Sequence, residues 1–267
     1  MSVNRHADVL IIGGGAAGLM CASAAAYRGR NTLVLEGSNR CGKKILMSGG
    51  GRCNFTNTGT GPNNFLSENP HFCKSALARY RPAEFIELVE RHGIAYHEKE
   101  LGQLFCDESS KQIVKMLLDE CEWAGAGIVT DCAIDAVKHD GRFTVRGSQG
   151  VFTADKLVIA SGGLSIPSMG ASGIGYEIAQ QFGHRIITTR AGLVPFTLSG
   201  KPLEQYAQLA GVALPVTVRF GGAEFSNALL FTHRGLSGPA ILQISSYWQL
   251  GQAIELDLLP GRDAIAE

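Results

Sequence analysis

The sequence predicts an α/β fold, a parallel sheet entered through a glycine-rich turn, followed by a β-rich second part. Three observations carry this prediction. The branched apolar run Asp8–Ile12 leads directly into Gly13-x-Gly15-x-x-Gly18. The alanine-rich stretch Met20–Tyr27 then reads as a helix, and a second strand, Asn31–Leu35, ends in an acid, Glu36. Beyond about residue 191 the pattern changes to alternating strand-like segments.

Each element has a physical reason. A run of branched apolar residues suits a parallel strand buried on both faces. In the turn that follows, Gly13 permits the tight bend, Gly15 lets backbone approach a pyrophosphate, and Gly18 lets the helix lie close to the sheet. Anionic oxygens would sit at the helix N-terminus, where N–H groups lack partners and the dipole favours negative charge. Glu36 lies about 20 residues further on, the spacing at which a carboxylate meets a ribose hydroxyl. With strand, helix and acid all in place, the stretch predicts dinucleotide binding rather than a simple glycine turn.

The segment Lys43–Asn57 interrupts the expected strand succession. Its Ser48-Gly49-Gly50-Gly51-Arg52-Cys53-Asn54 core offers successive backbone N–H groups flanked by donors, and reads as ligand contact in preference to a mobile loop. Pro82 to Gly93 predicts one helix, and a second runs from about Lys111, capped by Ser110, to Gly125. Ile94–His97 and Gln103–Cys106 read as short strands. Gly127–Val137, Arg142–Gly147 and Gly150–Thr153 read as a three-stranded meander with an Asp140-Gly141 turn. A buried strand, Lys156–Ala160, follows and ends in Ser161-Gly162-Gly163, where backbone again approaches a ligand. A helix is predicted from the Gly170–Tyr176 run through Phe182. Strands are predicted at Val212–Phe220, Glu224–Phe231 and Ile254–Leu259, with a helix starting near Ser237. The simplest division is residues 1–190 and 191–267.

Composition narrows the function. The 267 residues are 45% hydrophobic and 18% charged, as in a globular protein. Lys+Arg and Asp+Glu both number 24, which argues against a general polyanion surface and predicts no nucleic-acid partner. Glycine, at 34 residues, is about twice as frequent as usual. The seven cysteines include no Cys-x-x-Cys pair and no ligand-like spacing, so neither a redox disulfide nor a metal site is expected. No secretory leader or membrane segment is read, and a cytoplasmic protein with reduced thiols is expected.

Taken together, Gly13–Gly18 with Glu36, Ser48–Asn54, Ala160-Ser161-Gly162-Gly163, and Phe231-Thr232-His233-Arg234-Gly235-Leu236-Ser237-Gly238-Pro239 resemble the N-terminal portion of the YhiN/BaiN-type FAD-dependent oxidoreductases. The second and fourth motifs are the more specific, and the matches span nearly the whole chain. The resemblance implies a Rossmann-like FAD-binding domain of glutathione-reductase type plus a β-rich, incomplete substrate-side domain. It implies non-covalent FAD, with the pyrophosphate over Gly13, Gly14, Gly15, Ala16, Ala17 and Gly18, and the adenosine ribose at Glu36 and Gly37. Ser48–Asn54 would lie beside the ribityl chain and isoalloxazine, Ser161–Gly163 would border the cofactor, backbone near Ala133 would read the adenine edge, and Lys44 would also contact the cofactor. Family members are longer, and this chain ends at Pro260-Gly261-Arg262-Asp263, which predicts a truncated or naturally shortened member.

The expected chemistry is hydride or electron transfer between a small organic substrate and FAD, with oxygen or NAD(P)H completing the cycle. No residue stands out as a general base. Arg52 is the candidate for stabilising reduced flavin, against a structural ion pair. His233 and Arg234 are candidates for an anionic substrate or the cofactor, against a hydrogen-bonded structural role. Three alternatives stand beside this reading: a nicotinamide-only dehydrogenase, a dinucleotide-binding module or fragment without turnover, and a nucleic-acid-modifying flavoprotein, which would want a basic face and which the balanced charge does not support.

Overall fold

The computed structural model describes residues 5–261, so Arg262 and Asp263 lie outside the described residues. The chain divides into two compact units, one ending at Ile186 and the other beginning at Ile187. In chain order the first unit holds β1 (Arg5–Ile12), α1 (Ala16–Ala26), β2 (Thr32–Leu35), α2 (Lys43–Met47) and β3 (Asn54–Asn57). Next come α3 (Lys74–Arg79), α4 (Pro82–Arg91), β4 (Tyr96–Glu98), β5 (Gln103–Cys106) and α5 (Ser110–Ala124). It closes with β6 (Gly127–Val129), β7 (Ile134–Asp140), β8 (Arg142–Gly147), β9 (Gly150–Ile159) and α6 (Ile174–Gln181).

The main sheet has the order β6–β2–β1–β9–β8–β7. β6, β2, β1 and β9 run parallel, while β9, β8 and β7 form an antiparallel meander. This is the α/β, Rossmann-like architecture with a meander that the sequence predicts. The strand period of two explains why the C-terminal half of β1, Val9–Ile12, must be apolar at every position, while its entry, Arg5, His6 and Asp8, is polar. Ile11 faces one way, into a core with Leu19, Ala22, Val34 and Leu117. Leu10 and Ile12 face the other, into a core with Leu35, Val145 and Phe152. Each such side chain contributes about 2 kcal/mol of burial.

Several boundaries differ from the sequence reading, each for a local reason. Gly127–Val137 is not one strand. Asp131 adopts a left-handed φ of 52° and breaks the run, so β6 pairs with β2 and only β7 joins the meander. Conversely, Gly150–Thr153 and Lys156–Ala160 are one strand, because no turn residue separates them. β9 pairs with β8 over Gly150–Ala154 and with β1 from Phe152 to Ile159, and so stitches the meander to the parallel layer. α1 starts at Ala16, four residues before Met20, directly after the extended Gly15. The cap of α5 is Ser109, whose Oγ accepts the Lys111 N–H at 3.2 Å. Ser110 Oγ instead donates to the Leu46 carbonyl at 2.9 Å and ties α5 to α2. A small antiparallel sheet, β3–β5–β4, completes the unit.

The second unit holds β10 (Phe196–Thr197), α7 (Gly200–Tyr206), β11 (Ala213–Phe220), β12 (Ala223–Thr232), β13 (Gly235–Ser237), α8 (Pro239–Ser245) and β14 (Glu255–Asp257). Its antiparallel sheet, β10–β13–β12–β11–β14, packs Val216, Val218 and Leu229 against Ile241 and Ile244 of α8. The helix expected near Ser237 begins with Pro239 in its first turn, and α7 is an addition to the sequence reading. Among the described residues, no helix is long and apolar enough to cross a membrane.

Candidate functional site

The turn between β1 and α1 assigns a different task to each glycine. Gly13 has φ of 109°, and a Cβ there would lie 2.3 Å from the Ala160 carbonyl oxygen, so the turn and the β9 end require glycine. A Cβ on Gly18 would lie 1.9 Å from the Gly13 carbonyl oxygen, which fixes the helix against the turn. Gly15 is different. Its backbone is ordinary extended chain, φ −82° and ψ −171°, and a Cβ there would meet nothing within 4 Å. That open direction is where a ligand approaches. α1 has no side-chain cap, and its first backbone bond is Leu19 N–H to the Gly15 carbonyl, leaving the first-turn N–H groups for an anion.

Around this turn lie two adjoining cavities of about 510 and 290 Å³ that share Gly13, Glu36, Ser38, Lys43 and Ser161. The first reaches Gly37 and Cys132–Ile134; the second reaches Gly15, Ala16, Ala17, Lys44 and Gly162. They form one groove over the C-terminal ends of β1, β2 and β9, the position at which parallel α/β sheets take ligands. The structure therefore brings together Gly13, Gly15, Ala16, Ala17, Glu36, Gly37, Lys44, Ala133, Ser161 and Gly162.

The polar groups of the groove are largely held by the protein. Glu36 Oε2 accepts the Gly14 N–H at 2.7 Å, and Oε1 accepts the Ser38 N–H at 2.8 Å and hydroxyl at 2.6 Å. The carboxylate is fixed at the groove wall with lone-pair capacity remaining for a hydroxyl donor. Ala133 N–H donates to Ser148 Oγ at 3.0 Å, and its carbonyl accepts the Ser148 N–H at 2.8 Å. What Ala133 still offers an adenine edge is a second carbonyl lone pair, not the N–H. Lys44 Nζ donates to the Gly163 carbonyl at 3.3 Å and Ser165 Oγ at 3.1 Å, tying α2 to the turn after β9.

Sequence reasoning missed Lys43 and Arg40, which line the groove and form no ion pair among the described residues. Their signal was available. Both are cations within a few residues of the acid that ends β2, where a diphosphate would need counter-charge.

The Ser48–Asn54 segment lines neither cavity. Gly49, Gly50 and Gly51 are all left-handed, with φ of 57°, 65° and 89°. A Cβ on Gly49 would lie 2.6 Å from the Asn54 nitrogen and 2.8 Å from the Phe105 ring, whereas Gly50 and Gly51 face open space. Arg52 is exposed, and no ion pair forms with it among the described residues. Cys53 is buried, and burial pushes its thiol up against a lowering hydrogen bond with Ser48, the opposite of an activated thiolate. His233 and Arg234 belong to the second unit, exposed on the turn joining β12 to β13. Arg234 N–H donates to Thr232 Oγ1 there at 3.3 Å.

All seven cysteines are unpaired. Burial lifts Cys41, Cys106 and Cys121 each to about 11, with the Glu36 charge adding to the effect at Cys41. At about pH 8 only on the order of one such thiol in a thousand is ionised. Iodoacetamide should therefore label these three only after denaturation, as peptide mass mapping would show; labelling in the native protein would contradict their burial.

The chain matches the family model described as HI0933-like protein Rossmann domain over residues 7–233. It is 54% identical over 258 residues to the ribosomal RNA dihydrouridine synthase of Escherichia coli (strain K12), covering 96% of this chain and 64% of that protein. It is 48% identical over 272 residues to the protein of the same name from Haemophilus influenzae, covering 99% and 67%. A 3-dehydro-bile acid delta(4,6)-reductase of Clostridium scindens is 29% identical over 269 residues, covering 95% and 65%. The chain thus spans about two thirds of the length of the curated relatives it matches. From its glycine turn to β12, this chain belongs to the HI0933-like family.

Proposed function

We propose that this chain holds FAD and serves the reduction of a carbon–carbon double bond conjugated to a carbonyl, with uridine of ribosomal RNA as the substrate. The observation that carries the proposal is the built groove at Gly13–Gly18 and Glu36 in a chain 54% identical to a ribosomal RNA dihydrouridine synthase. The open direction at Gly15 and the Glu36 carboxylate fixed at the groove wall fit an adenosine diphosphate moiety. The α1 N-terminus, Arg40 and Lys43 would hold the pyrophosphate, Glu36 a ribose hydroxyl, and the Ala133 carbonyl the adenine amino group. Lys44 keeps the Gly163 turn in place along the same groove.

When bound, FAD would supply the hydride in its reduced form, with NAD(P)H as the proposed source of the two electrons and solvent of the proton. Uridine becomes dihydrouridine when C6, the carbon conjugated with the C4 carbonyl, takes a hydride and C5 takes a proton. The name of the 29% identical relative describes the same kind of bond, a ring double bond conjugated with a 3-oxo group. A small cyclic enone is therefore the second reading.

This proposal departs from the expectation of no nucleic-acid partner. That expectation used the balanced charge of the whole chain, which does not report on a local contact surface. Expression in E. coli cells lacking their own enzyme tests it. The expected result is ribosomal RNA whose uridine gains the mass of two hydrogens. Unchanged RNA, from a protein carrying reducible FAD, would overturn the RNA reading and leave the small-enone one.

A further inference from the structure

A second surface of the first unit has the make-up of a nucleobase site. A cavity of about 580 Å³ lies where α1, α4 and α5 meet. Trp123 of α5 is 64% exposed and stacks on His92, with ring centroids 5.0 Å apart and planes 14° from parallel. The His92 side chain is 8% exposed, and its Nε2 pairs with Glu120 at 2.8 Å. Its Nδ1 has no hydrogen-bond partner among the described residues. Tyr27 and Tyr80, each about half exposed, line the same cavity with Arg91. Arg91 has no carboxylate within ion-pair distance among the described residues.

The hollow is open to solvent and of mixed lining, and it sets an exposed indole face and an unpaired guanidinium beside the Glu120 carboxylate, an arrangement that core packing does not require. Exposed aromatic faces beside cations are what single-stranded nucleic acids use, with bases stacking and phosphates pairing. The hollow also has a direction. Met20 and Tyr80 line both it and a neighbouring, mostly apolar cavity, which ends on Ala16 and Ala17 of the cofactor groove. The trough follows α1, whose 11 residues span about 16 Å, a length of two to three nucleotides. No residue of α1 is charged, so nothing on the helix repels a strand laid along it.

We propose that an unpaired nucleotide of RNA docks here, its base on Trp123, its edge facing His92 and Glu120, and its phosphate on Arg91. This rests on the RNA reading above. Full-length FAD-loaded protein is titrated with fluorescently labelled oligoadenylate and oligouridylate, following anisotropy over a salt series. The expected result is saturable binding, weakened about tenfold or more by Trp123→Ala, with Arg91→Gln lowering the log–log salt slope by about one. FAD content should not change in either variant. Equal binding by Trp123→Ala, or no binding by the parent, would overturn the proposal.

Two further results separate the possibilities. If ribosomal RNA is reduced in cells but Trp123→Ala binds and reduces normally, the docking proposal fails and the RNA reading stands. If oligonucleotides bind through Trp123 but no RNA is reduced, the reductase reading fails alone. Concentration-dependent dimerisation abolished by Trp123→Ala, without RNA binding, would assign the surface to a second copy of this chain and overturn the proposal.

Discussion

Gly15→Val should empty the protein of FAD while leaving its melting temperature within about 2 °C of the parent. The two halves of this result come from different facts. The backbone at Gly15 is extended, φ −82° and ψ −171°, a conformation in which β-branched residues are comfortable. A Cβ there meets no protein atom within 4 Å, so the fold is expected to accept the substitution. It does enter the space in front of the α1 N-terminus where a pyrophosphate must come into contact with backbone. A loss of at least about 100-fold in affinity is expected, since both the hydrogen bonds and the close approach are blocked. Flavin absorbance per mole of protein, read beside a thermal melt, checks both halves. A variant that keeps FAD would show that the ligand does not lie over this turn.

Gly18→Ala should do the reverse, striking the fold first. One added methyl would sit 1.9 Å from the Gly13 carbonyl oxygen and 3.0 Å from its carbon, both backbone atoms. Neither can rotate away, so α1 must lift from the turn and from the Leu19 and Ala22 packing beneath it. A cost on the order of 4 kcal/mol is expected, a large share of a domain's total stability. The melting temperature should fall by about 10 °C or more. Gly15→Ala is the control, with the same added methyl three residues earlier in open space. A thermally neutral Gly18→Ala would mean that α1 and the turn are not packed as described.

The contrast between Gly15 and Gly18 also shows what was readable beforehand. Their spacing, the apolar run before them and Glu36 after them are local features, and local features placed the strand, the turn and the acid, and the helix except for its first four residues. The two-sided burial of Leu10, Ile11 and Ile12 was readable for the same reason.

What escaped were features set by partners distant in sequence. β9 is continuous because β1 holds its C-terminal part and β8 its N-terminal part, a pairing no window of sequence reveals. Gly127–Val137 looked uniform, yet Asp131 turns left-handed so that Val129 can pair with Leu35 and Ile134 with Gly147. The choice of Ser109 over Ser110 as a cap depends on Leu46, 64 residues away from Ser110, accepting the Ser110 hydroxyl. The trough along α1 was illegible because an alanine-rich helix whose one hydroxyl is Ser23 shows no polar face to mark its open side. Arg40 and Lys43 belong to no recognisable motif and reach the groove only through the fold, whereas the glycines of Ser48–Asn54, conspicuous in sequence, line neither cavity.

The central claim is that this chain is a flavoprotein built on the Gly13–Glu36 groove. Its most direct test is the visible absorption spectrum of the purified protein, reconstituted with FAD, before and after heat denaturation and removal of the precipitate. The account predicts a two-banded flavin spectrum carried by the native protein and FAD released intact into the supernatant. Protein that stays colourless after incubation with FAD, while its melt shows a cooperative fold, would contradict it.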